Sequence, residues 1–157
     1  MKIVTHGYLE GFYYKPRIDT EILKKYNEGI ICLSACLKGI LPETLIYNGL
    51  EAGKKVAEEY SSIFPGRYYV ELQNHGIPEE LQNIQLATKL AKDMNLPIIA
   101  TNDAHYAKKE HYKAHDVHIC IGTGKQLSDK NRLKYPGNEF YFKSQDEMFN
   151  LFKQFPQ

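Results

Sequence analysis

The chain has 157 residues, 43% of them hydrophobic and 25% charged, with a formal net charge of +1 at pH 7. That length allows one domain with a real hydrophobic core, and the balanced charge excludes a chain-wide electrostatic footprint for nucleic acid. No apolar run approaches the roughly 20 residues that cross a bilayer. The opening Met1-Lys2-Ile3-Val4-Thr5-His6 lacks the apolar stretch of a secretory leader, and three cysteines without framework spacing suit a reducing compartment, so cytoplasm is the expected location.

In chain order, Asp19 is the N-cap expected for a short helix through Glu28, stopped by Gly29. Ile30-Ile31-Cys32-Leu33-Ser34 is an apolar run of strand length. Leu50 to Ser62 carries an apolar side at Leu50, Val56, Ala57 and Tyr60 and is terminated by Pro65-Gly66, which predicts a helix. Arg67 to Leu72 is rich in β-formers and reads as a second strand. Pro78 suits the first turn of a long helix whose buried stripe is Leu81, Ile84, Leu86, Leu90 and Met94. Pro97 to Thr101 is a third strand, Lys108 to Ile121 a helix closed by Gly122, and Glu139 to Lys143 a weaker extended piece. Ser144-Gln145-Asp146-Glu147 forms a capping box that opens a final helix. Strands alternating with helices, each strand almost continuously apolar, predict βαβ units and a parallel sheet. The number of elements is about half that of an eight-stranded barrel, which takes roughly 250 residues.

The sharpest chemical signal is Thr101-Asn102-Asp103-Ala104-His105-Tyr106, where a buried strand ends in a carboxylate and an imidazole two residues apart. Alternation puts both on one side if the strand geometry persists, and active sites of parallel α/β folds lie at carboxyl ends of strands. Asp103 and His105 are complementary ligands for zinc or manganese; the plain alternative is a helix-entry loop in which Asp103 caps and His105 is merely polar. Cys36, just past the first strand, stands where a thiolate would join the same cluster, although lone cysteines are usually small core residues. Glu71, Gln73 and His75 follow the second strand on one face, as ligands, as partners behind the ligands or as a solvated face.

Other features read as structural. His111, His115 and His118 share a helix face, but no Glu follows His111, and Ala114, Val117 and Ile121 are expected as the buried stripe beside them. Gly122-Thr123-Gly124-Lys125 is not a phosphate loop, since Gln126 replaces the required Ser or Thr and Ile119 stands where the first Gly belongs. Between His105 and Tyr135 seven basic residues stand against three acidic ones, a local bias that could face a phosphate backbone but reads first as an ordinary solvated surface.

Taken together, six stretches resemble the DNA polymerase III alpha family of bacteria. They are Leu9 to Asp19, containing Phe12-Tyr13-Tyr14-Lys15-Pro16-Arg17-Ile18-Asp19; Leu33 to Gly39; Tyr69 to Gln73; Ala100 to Tyr106; Ala114-His115-Asp116-Val117; and Thr123-Gly124-Lys125. The resemblance implies the C-terminal half of a PHP (polymerase and histidinol phosphatase) domain. The fold implied is an α/β, partial PHP-type (β/α) barrel of parallel strands alternating with helices, its N-terminal strands missing, making residues 1–157 a single partial domain of a much larger polymerase. Cys36, Asp103 and His105 match three family metal ligands. Arg17 matches a characteristic residue with a phosphate-facing or structural role, and Glu71 and His75 remain candidates for a place behind the ligands or facing a phosphate. The family's opening His-x-His strand and further ligands are absent from this sequence, as are the polymerase's catalytic aspartates. Gly is common in the family at the position of Ala35, and an acidic residue at that of Ile40.

The activity implied is that of a metal-dependent 3′–5′ exonuclease or phosphoesterase module on a DNA polymerase, using zinc or manganese, with an incomplete ligand set and no activity expected in isolation. The partners implied are DNA by way of the parent polymerase, the remaining domains of the alpha subunit and a proofreading exonuclease subunit. Unpaired sheet edges predict self-association. The competing readings are a stand-alone phosphatase of a small phosphomonoester and a purely structural or interaction module.

Overall fold

The structure, a computed structural model, describes residues 1–155. The elements in order are α1 (Lys2–Leu9), α2 (Thr20–Lys25), β1 (Cys32–Leu33), α3 (Ile40–Asn48), α4 (Leu50–Ile63), β2 (Tyr68–Leu72), α5 (Pro78–Met94), β3 (Ile98–Ala100), a 3-10 turn (Lys109–His111), α6 (Tyr112–Thr123) and α7 (Gln145–Phe152). The sheet is parallel throughout, in the order β1-β2-β3. Cys32 pairs with Tyr68, Leu33 with Tyr69, Val70 with Ile98, Glu71 with Ile99 and Leu72 with Ala100. The alternation of strand and helix expected from the sequence is therefore present.

The caps explain several boundaries. The Asp19 carboxylate accepts from the Ile22 N–H at 2.9 Å and starts α2, which ends at Lys25, short of the expected Glu28, because the chain turns away at Tyr26 and leaves Gly29 in a later turn at φ +71°. Pro78 occupies the first turn of α5, and Asn95 closes that helix in the left-handed region. At α7 the Ser144 hydroxyl accepts from the Glu147 N–H at 3.3 Å while the Glu147 carboxylate accepts from the Ser144 N–H at 2.7 Å, the reciprocal pair the sequence motif predicts.

Two helices were not predicted. α1 has no side-chain cap to announce it. α3 is hidden by Pro42 in its first turn and by Gly49, which alone joins α3 to α4 at φ +84°. A residue with a Cβ rarely takes that conformation. The two helices then approach so closely that a Cβ on Gly53 would lie 2.4 Å from a Leu45 methyl. The expected extended piece at residues 139–143 is reduced to one parallel bridge between Tyr106 and Tyr141.

The core lies between one face of the sheet and helices α3, α4 and α5. Leu41, Leu45, Ala57, Phe64, Val70, Leu72, Ile84 and Leu90 are buried there. The opposite face, which carries Leu33, Tyr69, Glu71 and Ile99 by the register above, is covered less: Leu33 and Ile99 each keep 37% of their surface although Glu71 is buried, and the edge strand β3, expected to be buried, is open on both sides, with Ile98 38% exposed. In total the chain exposes 10692 Å², against about 8,100 Å² for a self-contained protein of its 18.1 kDa mass. Among the described residues no helix is long and apolar enough to cross a membrane.

Candidate functional site

Because the three strands are parallel, their carboxyl ends share one rim. Ser34-Ala35-Cys36 leaves β1 there, Gln73-Asn74-His75 leaves β2, and Thr101 to His105 leaves β3. The sequence candidates Cys36, Glu71, His75, Asp103 and His105 thus emerge at one end of the sheet, all but Cys36 held in two hydrogen-bond networks.

The first network stands on the bare face. Glu71, only 8% exposed, has no cationic partner among the described residues; its carboxylate accepts from the Thr101 hydroxyl and from the Gln73 amide, the latter at 3.2 Å. Its backbone N–H donates to the Ser34 hydroxyl at 2.9 Å, tying β1 to β2 at the rim. Buried carboxylates are costly unless they are hydrogen-bonded, and these neighbours meet that need.

The second network begins in the first turn of α5. Glu80 accepts from the His75 backbone N–H at 2.6 Å through one oxygen and lies 2.7 Å from His75 Nδ1 through the other. Burial alone would push the Glu80 carboxyl up, but the hydrogen bonds from the His75 ring and backbone outweigh it and hold the carboxyl below the ordinary range. At the far side of the ring, His75 Nε2 accepts from the Asp103 N–H at 3.1 Å. A backbone amide can only donate, so Nε2 carries no proton, and Nδ1 carries the one that goes to Glu80.

Asp103 and His105 come together as the spacing predicts, Asp103 Oδ2 lying 3.0 Å from His105 Nε2, with both side chains partly open to solvent. The His105 backbone N–H donates to the Phe140 carbonyl at 2.8 Å. The Tyr135 hydroxyl sits 3.0 Å from His105 Nε2 and 3.2 Å from Nδ1, and burial, followed by the Asp103 charge, pushes that phenol up. Phe140 stacks on His75 at 4.3 Å between centroids and packs edge-on to Tyr135 at 4.7 Å.

His115 also turns into this cluster. Its ring centroid lies 5.6 Å from that of His105, and its Nδ1 is buried without a hydrogen-bond partner. Burial, with help from His105 and His118 and against Asp116, holds His115 below the ordinary histidine range. The loop is clamped from above by Lys143, whose ammonium donates to Asn102 Oδ1 at 3.1 Å and to the Glu139 carbonyl and lies over the Tyr141 ring at 4.4 Å.

The remaining candidates stand apart from these pairs. Cys36 is half-buried in the turn after Ala35, and among the described residues no three His, Cys, Asp or Glu side chains form a group able to hold a metal ion. The structure joins Asp103 to His105 and does not bring the Cys36 thiol to them as a third ligand. The donors are of the right type for zinc or manganese, but those in this chain do not amount to a closed centre. Arg17 lies with its guanidinium 5.2 Å from the centre of the Tyr13 ring, in the turn after α1. Of the seven basic residues between His105 and Tyr135, Arg132 is engaged by Asp116 in a two-pronged pair at 2.6 and 2.8 Å, and Lys109 by Glu139.

Sequence reasoning missed Glu80, Tyr135, Phe140 and Lys143. Only Glu80 left a trace, as an acidic residue two positions past a helix-opening Pro78.

Residues 1–75 match the PHP domain family. That match takes in Cys36 and ends at His75, before Asp103. Over all 157 residues the chain is 43% identical to the DNA polymerase III subunit alpha of Borreliella burgdorferi, of which it spans 14%. It is 42% identical to the subunit of Treponema pallidum, again spanning 14% of it. Over 94% of its length it is 40% identical to the subunit of Thermus aquaticus, of which it covers 12%.

Proposed function

We propose, for a chain that belongs to the PHP-containing region of the DNA polymerase III alpha family, that it is one section of a barrel whose completed rim is a divalent-metal phosphoesterase site. In this reading residues 1–157 are part of a single PHP domain, and Asp103, His105 and Cys36 are three of its ligands to zinc or manganese. The observation that carries the reading is the shared carboxyl rim, with Cys36 after β1 and the Asp103–His105 pair after β3. The bare sheet face and the excess of exposed surface support the partial barrel.

A metal held by the completed domain supplies a polarised phosphodiester and an activated water, which is the chemistry of a 3′–5′ exonuclease or related phosphoesterase. The residues of this chain contribute a carboxylate and an imidazole already in register, and a thiol one turn beyond the opposite strand. Since they do not form a closed centre by themselves, the isolated chain has no appreciable nuclease activity. The parent protein is a cytoplasmic DNA-replicating polymerase whose other domains and DNA are this section's partners, and a separate proofreading subunit is a further one.

The test has two arms. In the parent polymerase, Asp103→Asn together with His105→Ala lowers the bound zinc or manganese measured by elemental analysis; unchanged metal content overturns the ligand assignment. Metal-dependent release of nucleotides from a DNA 3′ end by the purified 157-residue chain overturns the claim that it is inactive alone. The uncovered Leu33 and Ile99 and the open strand edges make self-association the expected behaviour of the isolated chain. Light scattering that finds a monomer at high concentration counts against it.

A further inference from the structure

We propose that Glu80 and His75 form a positioning dyad that fixes the backbone of Asp103 and so presents the Asp103–His105 pair. This deepens the metal-site reading and rests on it for its purpose, though not for its geometry. Three observations carry it. Both ring nitrogens of His75 are used, Nδ1 toward Glu80 at 2.7 Å and Nε2 toward the Asp103 N–H at 3.1 Å. The pair is sealed, with side-chain exposures of 1% for His75 and 6% for Glu80. The main chain is held a second time two residues later, where the His105 N–H meets the Phe140 carbonyl and Phe140 itself stacks on His75.

The consequence is directional. A histidine that only filled the core would tolerate either tautomer. Here Glu80 selects the tautomer with the proton on Nδ1, which leaves Nε2 as an acceptor aimed at one amide of the loop. That amide and the His105 amide are both pinned, so the segment between them has little freedom, and the Asp103 carboxylate and His105 imidazole leave it in a fixed relation, 3.0 Å apart. Glu80 belongs to α5, so the rigid helical layer reaches the rim through one carboxylate and one ring. A partner behind a ligand that sets its orientation is a general device of metal sites.

Two substitutions separate the two ends of the ring. His75→Asn retains a donor near the Nδ1 position and cannot reach Asp103; His75→Gln places its amide oxygen near the Nε2 position and can still accept from the Asp103 N–H. Hydrogen exchange of backbone amides by NMR is expected to show the Asp103 amide accelerated about fivefold or more in H75N, the fold-change for a lost hydrogen bond. In H75Q that amide stays close to wild type, and the amides of β2 and α5 are unchanged in both. Nitrogen-15 spectra of the wild-type ring are expected to show an unprotonated Nε2. An unaltered Asp103 exchange rate in H75N, or a proton on Nε2 in the wild type, overturns the proposal; should H75N fail to fold, the wild-type ring and H75Q still decide it. Titration with Mn²⁺ judges the underlying metal reading separately. Broadening of the Asp103 and His105 signals that needs about tenfold more Mn²⁺ in H75N, with H75Q restoring it, supports both readings. No broadening in the wild type shows that the pair alone does not hold Mn²⁺ and leaves the metal reading to the metal content of the parent polymerase, while exchange continues to judge the dyad.

Discussion

The two faces of the sheet differ in what they ask of their surroundings. On one, Val70 and Leu72 are packed by α3, α4 and α5 and are almost wholly removed from water. On the other, Leu33 and Ile99 keep over a third of their surface and Glu71 relies on neighbouring hydroxyl and amide groups. The first face is closed by helices along β2, whereas the second, and the edge strand β3 on both sides (Ile98 38% and Ile99 37% exposed), stay open to something that could lie against them. Stability therefore resides on the helical side and chemistry along the rim of the other, joined through Glu80 and His75.

The contrast breaks most readily by truncation. Leu90→Ala, on the packed side, is expected to cost about 2–5 kcal/mol, whereas Ile99→Ala on the bare side costs about 1 kcal/mol or less. Chemical denaturation of both variants measures the difference, and equal losses erase the distinction between the faces.

Next in size is the pH response of the joint. The Glu80 carboxyl titrates lower in the folded chain than in the unfolded one. The folded state thus binds fewer protons, and the stabilisation is complete above about pH 4.3, the unperturbed glutamate value. It is lost as pH falls through the lower folded value. Glu80→Gln is expected to be less stable than wild type at neutral pH by about 1–3 kcal/mol, with the gap narrowing below that pH in denaturant titrations. A gap that stays constant down to strong acid removes Glu80 from the account.

The smallest effect concerns the turn that carries Cys36. Ala35 sits at φ +67°, a left-handed conformation that costs an L-residue about 1–2 kcal/mol. Part of that returns as added freedom of the unfolded chain when glycine replaces it. Ala35→Gly is expected to raise stability by about 0.5–1 kcal/mol in thermal or denaturant melts, and a loss instead would mean that the methyl group has a packing role.

The legible parts of this molecule were those written in local chemistry. Asp19, Pro78 and the Ser144–Glu147 box announced their helices through caps, and the apolar runs announced their strands. α3 escaped because Pro42 and Gly49 look like breaks when neighbours in space are unknown. At the site, the spacing of Asp103 and His105 predicted their contact. Glu71 and Gln73 stay together as expected, but His75 leaves them for Glu80 and Phe140, since past the end of β2 the chain no longer alternates like a strand. Phe140 and Lys143 act on a loop that precedes them by more than thirty residues, a relation no local pattern encodes.

The clamp formed by residues 139–143 has its own consequence for how the chain comes apart. It reaches the loop after β3 through the Lys143–Asn102 contact, an Asn102–Tyr141 hydrogen bond of 2.7 Å, a bridge at Tyr106, the His105–Phe140 backbone bond and the Phe140 ring on His75, whereas α3, α4 and α5 close on each other through short connections and a shared core. Loss of these ties would free the loop after β3 from one side while the helical layer persists, so local opening there is expected to start at the strap rather than in the core.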